Sequence, residues 1–141
     1  MSINFYKKIL GLVLKKGKKS LFNLILNKSF NFLQRTLKLS FSYLLNTLYI
    51  ALSTFVESKT IKIKRRLYTI PFPISINRRI YLIGKWLLLS IAANKKKISF
   101  SKKLIEEIML IVQNQTSKAL TFKKDNIVKS LSNRSNAHFR W

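Results

Sequence analysis

Hydrophobic residues recur at three- and four-residue spacing through the first third of the chain, which predicts amphipathic helices. Residues 3–15 carry their lysines away from an apolar stripe, and this stripe consists of Phe5, Ile9, Leu12, Val13 and Leu14. Gly17 follows, where glycine commonly ends a helix, and Ser20 is a suitable N-cap for the next helix. The stripe of this second helix is Phe22, Leu26, Phe30, Leu33 and Leu37. A third helix is predicted over about 40–56.

The spacing changes after Lys59. Ile61, Ile63 and Ile70 stand among basic residues in an alternating pattern, which is typical of β-strands. Pro71 and Pro73 lack backbone donors, so the second strand must be an edge strand near its end. We therefore predict a two-stranded β-hairpin at about 58–74, with a basic tip.

Helical spacing returns at about 77–93 and is followed by a basic loop at 94–97. Ser99 or Ser101 is a candidate cap for a fifth helix, whose stripe is Leu104, Ile108, Ile111 and Val112. Residues 113–122 are typical of a polar loop. A last helix is predicted over about 124–138, beginning near Asp125, whose charge suits a helix N-terminus; its few apolar residues are Ile127, Val128 and Leu131. The fold class predicted is all-α: a single domain over residues 1–141, with about six helices and one protruding two-stranded hairpin.

The segment 39–56 contains no charged residue, which gives it about the minimum length of a membrane span. Serine, threonine and asparagine interrupt it at six positions. We favour a buried helix here, and the alternative is a basic membrane-associated protein with one weak span at 39–56.

The net charge of the chain limits the kinds of partner that it can bind. The chain has 28 basic and 4 acidic residues among 141, a formal net charge of +24. Such a chain repels itself unless a polyanion, either nucleic acid or an anionic membrane surface, neutralises it. The basic residues are spread along the whole chain, which argues against a neutral domain with a basic tail.

Groups for catalysis are scarce. Cysteine is absent, which excludes disulfides, thiolate metal sites and a cysteine nucleophile. His138 is the only histidine, and the acids are Glu57, Glu106, Glu107 and Asp125. Adjacent side chains on a helix diverge by about 100°, so Glu106 and Glu107 do not form a catalytic pair. We expect no enzyme activity, catalytic residue, metal or cofactor.

Three sets of motifs, in order along the chain, resemble one protein family. Gly17-Lys18-Lys19-Ser20 follows an amphipathic helix; Tyr68-Thr69-Ile70-Pro71 precedes Arg78-Arg79 and Lys85-Trp86; and the chain ends Asn133-Arg134-Ser135-Asn136-Ala137-His138-Phe139-Arg140-Trp141. These motifs are similar to those of ribosomal protein seven of the small subunit, the S-seven family. The ending looks most like that of the plant mitochondrial forms.

The resemblance implies six helices with a hairpin between the third and fourth. It also implies binding to the 3′ domain of small-subunit rRNA, organisation of the subunit head, and a hairpin near the exit tRNA site and the mRNA path. The partners expected are small-subunit rRNA, tRNA and mRNA near the exit site, and other small-subunit ribosomal proteins. The expected location is the mitochondrial ribosome in the matrix, and the composition, rich in Lys, Asn, Ile and Phe, suggests an organelle gene. The family's glycines at the hairpin tip are absent, with Lys64-Arg65 in that region, and the basic arm that usually precedes the first helix is missing.

Two basic pairs are the sharpest candidates for RNA contact. Lys18 and Lys19 stand at a helix junction, where backbone donors and cations suit a phosphate, although a solvated turn explains them too. Arg78 and Arg79 begin a helix, where cations are unfavourable by roughly 0.3–1 kcal/mol, so an anion is expected beside them. Trp86 is expected in the core, and Tyr68 is open between core and RNA contact.

The resemblance and the charge together give two sets of site residues. The expected rRNA-binding residues are Lys7, Lys8, Lys15, Lys16, Lys18, Lys19, Lys59, Arg78, Arg79, Lys85, Lys95, Lys96, Lys97, Lys123, Lys124, Arg134, His138 and Arg140. The hairpin residues expected near tRNA and mRNA are Lys62, Lys64, Arg65, Arg66 and Tyr68.

Overall fold

The structure, a computed structural model, describes residues 2–14 and 16–140, with side chains from Phe5 onward. Six α-helices, one 3₁₀ helix and one two-stranded hairpin occupy these residues. Their order is α1 Ser2–Val13, α2 Lys19–Leu37, α3 Phe41–Leu52, β1 Val56–Ile63, β2 Arg66–Pro73, α4 Ile76–Ala93, α5 Phe100–Val112, α6 Lys118–Ser132 and the 3₁₀ helix Arg134–Phe139. The predicted helical fold with a hairpin between the third and fourth helices is confirmed.

The main core lies between α1, α2, α3, α4 and α5. It buries the residues that the helical spacing selected, among them Ile9, Leu26, Leu33 and Ile108. Helices α1 and α4 approach closely at Gly84, where an added Cβ would overlap the Cδ1 of Leu12. Trp86 is buried, as predicted, in a smaller cluster with Ile74 and Leu82.

Helix α3 is shorter than predicted. It begins after Ser40, whose hydroxyl accepts a hydrogen bond from the backbone N–H of Tyr43, and it ends at Leu52 because Ser53 is extended, with a ψ of 142°. Strand β1 then starts at Val56, two residues before the predicted hairpin. Among the described helices, none combines the length and the apolar content that a membrane span requires.

Helix α6 begins at Lys118, so the polar loop predicted for 113–122 is confirmed only for residues 113–117 and is wrong for 118–122. Two caps from outside the helix explain this start: the Ser117 hydroxyl accepts from the N–H of Leu120, and Glu107 Oε1, on α5, accepts from the N–H of Ala119. Asp125 therefore lies in the second turn rather than at the N-terminus. The predicted apolar residues of this helix are exposed, namely Ile127, Val128 and Leu131.

The predicted serine caps are corrected in two places. Helix α2 begins at Lys19 without a side-chain cap, so Ser20 is not its N-cap. Ser99 stands at the N-cap position of α5 but makes no capping bond, and the Ser101 hydroxyl instead lies 2.7 Å from the Ser29 hydroxyl. Helix α1 ends at Val13, so Gly17 lies in the connection to α2 and not directly after the helix as predicted; its φ of 71° is one that glycine adopts without steric cost.

Candidate nucleic-acid interface

Two asparagines hold the lower part of the hairpin. Strands β1 and β2 pair antiparallel from Val56 opposite Pro73 to Ile63 opposite Arg66. On the free edge of β1, the Asn126 side chain donates to the carbonyl of Val56 at 2.8 Å and accepts from the N–H of Ser58 at 3.2 Å. On the edge of β2, Asn136 donates to the carbonyl of Thr69 at 3.1 Å. The part of the hairpin between Thr60 and Thr69 carries the tip.

The tip is a two-residue turn formed by Lys64 and Arg65. Lys64 has a φ of 54°, the left-handed conformation that glycine usually supplies in such turns. The basic side chains at this end are all exposed, and they are Lys62, Lys64, Arg65 and Arg66. The tip therefore concentrates cations on a turn that keeps its shape without glycine.

The C-terminal motif packs beside the tip. The rings of Tyr68 and Phe139 lie 5.0 Å apart, and those of Phe139 and His138 lie 4.0 Å apart. Nδ1 of His138 donates to the carbonyl of Ser135 at 2.7 Å, which fixes this ring. A cleft of about 510 Å³ opens here, lined by Ile63, Lys64, Arg65, Arg66, Tyr68 and Phe139. Residues that are seventy positions apart in sequence thus form one basic and aromatic surface, which places Tyr68 against this cleft rather than in the core.

Arg78 has an anionic partner within the chain. Its Nη2 donates to Glu57 Oε1 at 2.6 Å and its Nε to Glu57 Oε2 at 2.8 Å, and its guanidinium lies 4.8 Å from the ring centre of Tyr81. The hydrogen bond from Arg78 lowers the pKa of the Glu57 carboxyl, against the opposing effect of burial. The anion expected beside the arginine pair is, for Arg78, this carboxylate. Sequence analysis missed the contact, although Glu57 is the only acid before Glu106.

Arg79 has different surroundings. Its guanidinium stacks on Phe55, 4.3 Å from the ring centre, and Phe55 is 71% exposed. Its Nε is buried and makes no hydrogen bond with any described residue. The two arginines of the pair therefore differ: Arg78 is paired with a carboxylate of the chain, whereas Arg79 has no acidic partner among the described residues and its Nε is enclosed.

Several lysines satisfy helix C-termini. Lys123 Nζ donates at 2.6 Å to the carbonyl of Ala51 in the last turn of α3, and burial lowers the pKa of this lysine. Lys118 Nζ donates to the carbonyl of Ala93, and Lys103 Nζ to that of Asn94, at the end of α4. Cations are favourable at helix C-termini. Sequence analysis missed Lys103 and Lys118, since no local signal shows which carbonyl a long side chain will reach.

Most of the other predicted basic residues are exposed. Lys59 is exposed too, with its Nζ 5.5 Å from the ring centre of Phe72. Lys15, like Trp141, lies outside the described residues. The remaining exposed members of the set are Lys7, Lys8, Lys16, Lys18, Lys19, Lys85, Lys95, Lys96, Lys97, Lys124, Arg134, His138 and Arg140.

Three of the four acids are engaged within the chain. Glu57 binds Arg78, Glu107 caps α6, and Glu106 lies 3.5 Å from Lys96. Within residues 2–14 and 16–140, no three histidine or acidic side chains converge as a metal site would require. The surface thus carries a large uncompensated positive charge, which suits a polyanion and not an acid–base mechanism.

The proteins that resemble this chain are ribosomal proteins, which agrees with a basic surface that suits a polyanion. The model of the family Ribosomal protein S7p/S5e matches residues 3–134. The chain is similar to the small ribosomal subunit protein uS7 of Thermomicrobium roseum, with 29% identity over 96% of this chain and 85% of the relative. It is also similar to two proteins named small ribosomal subunit protein uS7m. The one from Reclinomonas americana is 26% identical over 98% of this chain and 86% of its own length, and the one from Drosophila melanogaster is 35% identical over 52% of this chain and 34% of its own length.

Proposed function

The chain belongs to the ribosomal protein S7p/S5e family, which makes it a structural constituent of the small ribosomal subunit and not an enzyme; from this premise we propose that it works in the mitochondrial ribosome. There it binds the 3′ domain of the small-subunit rRNA and organises the head. Its hairpin lies near the exit tRNA site and the mRNA path.

The observation that carries the proposal is the distribution of charge. With three of four carboxylates engaged internally, the exposed lysines and arginines face solvent without neutralisation. Contacts from such side chains to phosphates supply most of the sequence-independent affinity for nucleic acid. RNA is the polyanion that a ribosomal protein meets.

The junction between α1 and α2 is the clearest phosphate site. Lys16, Lys18 and Lys19 are exposed around Gly17, and α2 begins without a side-chain cap. Uncapped backbone N–H groups at a helix start attract phosphate, and the three cations add to this attraction. Arg79, whose guanidinium has no acidic partner among the described residues, offers a second contact.

The cleft beside the hairpin tip suits single-stranded RNA. Tyr68 and Phe139 provide ring faces or edges for bases, and Lys64, Arg65 and Arg66 provide charge for the backbone. This combination supports a place for the tip beside tRNA and mRNA, as the family resemblance implies.

Exposed apolar residues on α6 suit contact with other small-subunit proteins. Val128 and Leu131 are both 63% exposed, and Ile127 lies beside them on the same helix. Exposed apolar patches on soluble domains mark interaction sites.

The mitochondrial location rests on two observations. Relatives named uS7m match the chain, and the ending Asn133–Trp141 resembles plant mitochondrial forms. Sedimentation of a mitochondrial lysate tests this location directly. The chain should peak with small subunits, and nuclease or high salt should release it. Recovery in the membrane fraction after carbonate extraction would contradict the proposal.

Binding to rRNA fragments tests the partner. The chain should prefer a 3′-domain fragment over a 5′-domain fragment, and each neutralised phosphate adds roughly 0.7–0.9 to the slope of log K against log salt. Lys18→Ala with Lys19→Ala should reduce that slope by about one to two units. The matched control removes two exposed cations from the body of α2, Lys28→Ala with Arg35→Ala, and should leave the slope unchanged. Equal slopes for the two double variants would show that the junction is not a phosphate site.

A further inference from the structure

A cleft of about 460 Å³ lies between α1, α3 and the start of α4, away from the hairpin tip. Its floor is apolar and buried: Phe5, Leu45 and Ile80 are 3%, 1% and 5% exposed. Tyr43, Asn46 and Tyr49 from α3 form its wall. A cleft of this size, apolar within and polar at a few points, has the form of a site for a small planar group.

The wall of this cleft is polar but uncharged. It belongs to the segment 39–56, which has no charged residue in a chain with 23% charged residues. The Tyr43 hydroxyl and the Asn46 amide make no hydrogen bond with any described residue, and Tyr43 is 54% exposed. The ring of Tyr49 packs edge-on against Phe5, with centres 6.2 Å apart, which steadies the wall. Neutral donors and acceptors beside an aromatic face suit a nucleobase, not a phosphate.

Cations line a second cleft that shares one floor residue with the first. Ile80 also lines this second cleft, of about 260 Å³, together with Lys7, Lys8 and Asn77. The two clefts therefore adjoin at one side chain. A nucleotide needs this arrangement, with a neutral pocket for the base and positive charge for the phosphates on either side of it.

We propose that this cleft receives one unstacked base of the bound RNA. The base stacks against Tyr43 and hydrogen-bonds through its edge to Asn46, while Lys7 and Lys8 bind the flanking phosphates. The proposal rests on the proposed function, because it assumes that the chain binds rRNA. It adds one site of base recognition to a surface whose other proposed contacts are mainly between basic side chains and phosphates.

The test uses the full chain bound to a 3′-domain rRNA fragment. Tyr43→Ala with Asn46→Ala should weaken binding roughly 5- to 150-fold, the range that corresponds to one lost base–aromatic stack. Because both residues are uncharged, the salt slope should stay the same. Lys7→Ala with Lys8→Ala should instead reduce the slope by about one to two units. The matched control is Phe32→Ala with Asn31→Ala on α2, where Phe32 is 50% exposed, and it should bind like wild type.

Base-specific chemical probing of the same complexes gives the second readout. One unpaired base should be protected in the wild-type and control complexes and reactive with the Tyr43→Ala, Asn46→Ala variant, while circular dichroism shows an unchanged helix content. Equal affinity and an equal footprint for variant and control would overturn the inference alone. The same result together with loss of the variant from purified subunits would assign the cleft to a neighbouring protein, which also overturns it. Failure of the wild-type chain to bind the fragment would overturn the proposed function itself.

Discussion

Arg78 and Glu57 join the first turn of α4 to the first strand of the hairpin through two hydrogen bonds, of 2.6 and 2.8 Å. The two parallel bonds orient the guanidinium in the plane of the carboxylate, so the contact sets an angle as well as a distance. The Glu57 side chain is 12% exposed and that of Arg78 is 41% exposed. This pair fastens the hairpin to the helical body.

Arg78→Ala should lower the free energy of unfolding by about 1–3 kcal/mol, between the values for exposed and for buried ion pairs, because it leaves the Glu57 carboxylate without its partner. Denaturant unfolding in high salt measures this loss. The double variant Arg78→Ala, Glu57→Ala should recover part of it, and Arg35→Ala, an exposed arginine on α2, should stay within about 0.5 kcal/mol of wild type. Strictly additive losses in the double variant would show that the two residues do not interact.

Stability should depend on pH through Glu57. The folded chain holds the pKa of this carboxyl below its usual value through the hydrogen bond from Arg78. The contribution is therefore complete above the unfolded pKa of about 4.3 and is lost as the pH falls through the lower folded pKa. Between neutral pH and the acid limb, wild type should lose more unfolding free energy than Glu57→Gln. Parallel curves for the two proteins would contradict this.

Two glycine substitutions in the hairpin turn should change the free energy of unfolding in opposite directions. Lys64→Gly should raise the free energy of unfolding by about 0.5–1 kcal/mol, because glycine adopts the positive φ at Lys64 without the steric cost of a side chain. Arg65→Gly removes the same charge but relieves no left-handed conformation, so it should lower stability by about 0.5–1 kcal/mol through the more flexible unfolded chain. Thermal unfolding of both variants is the measurement, and effects of equal sign would count against the turn geometry.

Asn126→Ala should loosen the lower part of the hairpin. It leaves the carbonyl of Val56 and the N–H of Ser58 without their partners, at a cost of about 1–3 kcal/mol. Hydrogen exchange at the Ser58 amide should become faster, whereas the control Asn31→Ala, at an exposed position of α2, should leave it unchanged. Unaltered exchange in Asn126→Ala would mean that strand pairing alone protects β1.

The hairpin tip should serve translation more than assembly. Lys64→Ala, Arg65→Ala and Arg66→Ala change exposed side chains that do not contribute to the core, so the triple variant should still enter small subunits but increase frameshifting. Lys18→Ala with Lys19→Ala should reduce incorporation instead. Mass spectrometry of subunits and a frameshift reporter measure the two effects. The reverse outcome would show that the two basic clusters have exchanged roles.

Local spacing was enough to predict most of the fold. The three- and four-residue stripes select Leu26, Leu33 and Ile108, and each of these is fully buried, because a helix that packs on a core must present such a face. The spacing of hydrophobic residues did not predict the start of α6. One of its two caps is Glu107 on the preceding helix, twelve residues before Ala119, and a window over 113–122 does not include that residue. The other cap, Ser117, lies inside the window and is a local signal that the sequence analysis did not use.

The sequence was enough to predict the types of residue at the site, but not the atoms that they contact. The unfavourable position of Arg78 at a helix N-terminus indicates a nearby anion, for which we expected an rRNA phosphate. Within the chain the anion is Glu57, and a contact 21 residues away cannot be assigned from charge alone. Lys123 shows the same limit, since its ammonium binds a carbonyl 72 residues earlier. Exposure of the junction lysines, by contrast, follows from their place in a short loop between two amphipathic helices.

The two asparagines that hold the hairpin also set the time at which it can form during synthesis. Asn126 follows its partner Val56 by 70 residues, and Asn136 follows Thr69 by 67. At roughly 5–20 residues per second, the strands wait about 3–14 s for these side chains. A lone two-stranded hairpin is at best marginally stable in water. Over this interval the basic hairpin of the nascent chain therefore lacks the asparagine contacts that hold it in the folded protein. The hairpin is therefore among the last parts of the newly made protein to become fixed, after the helices that precede it have had time to collapse.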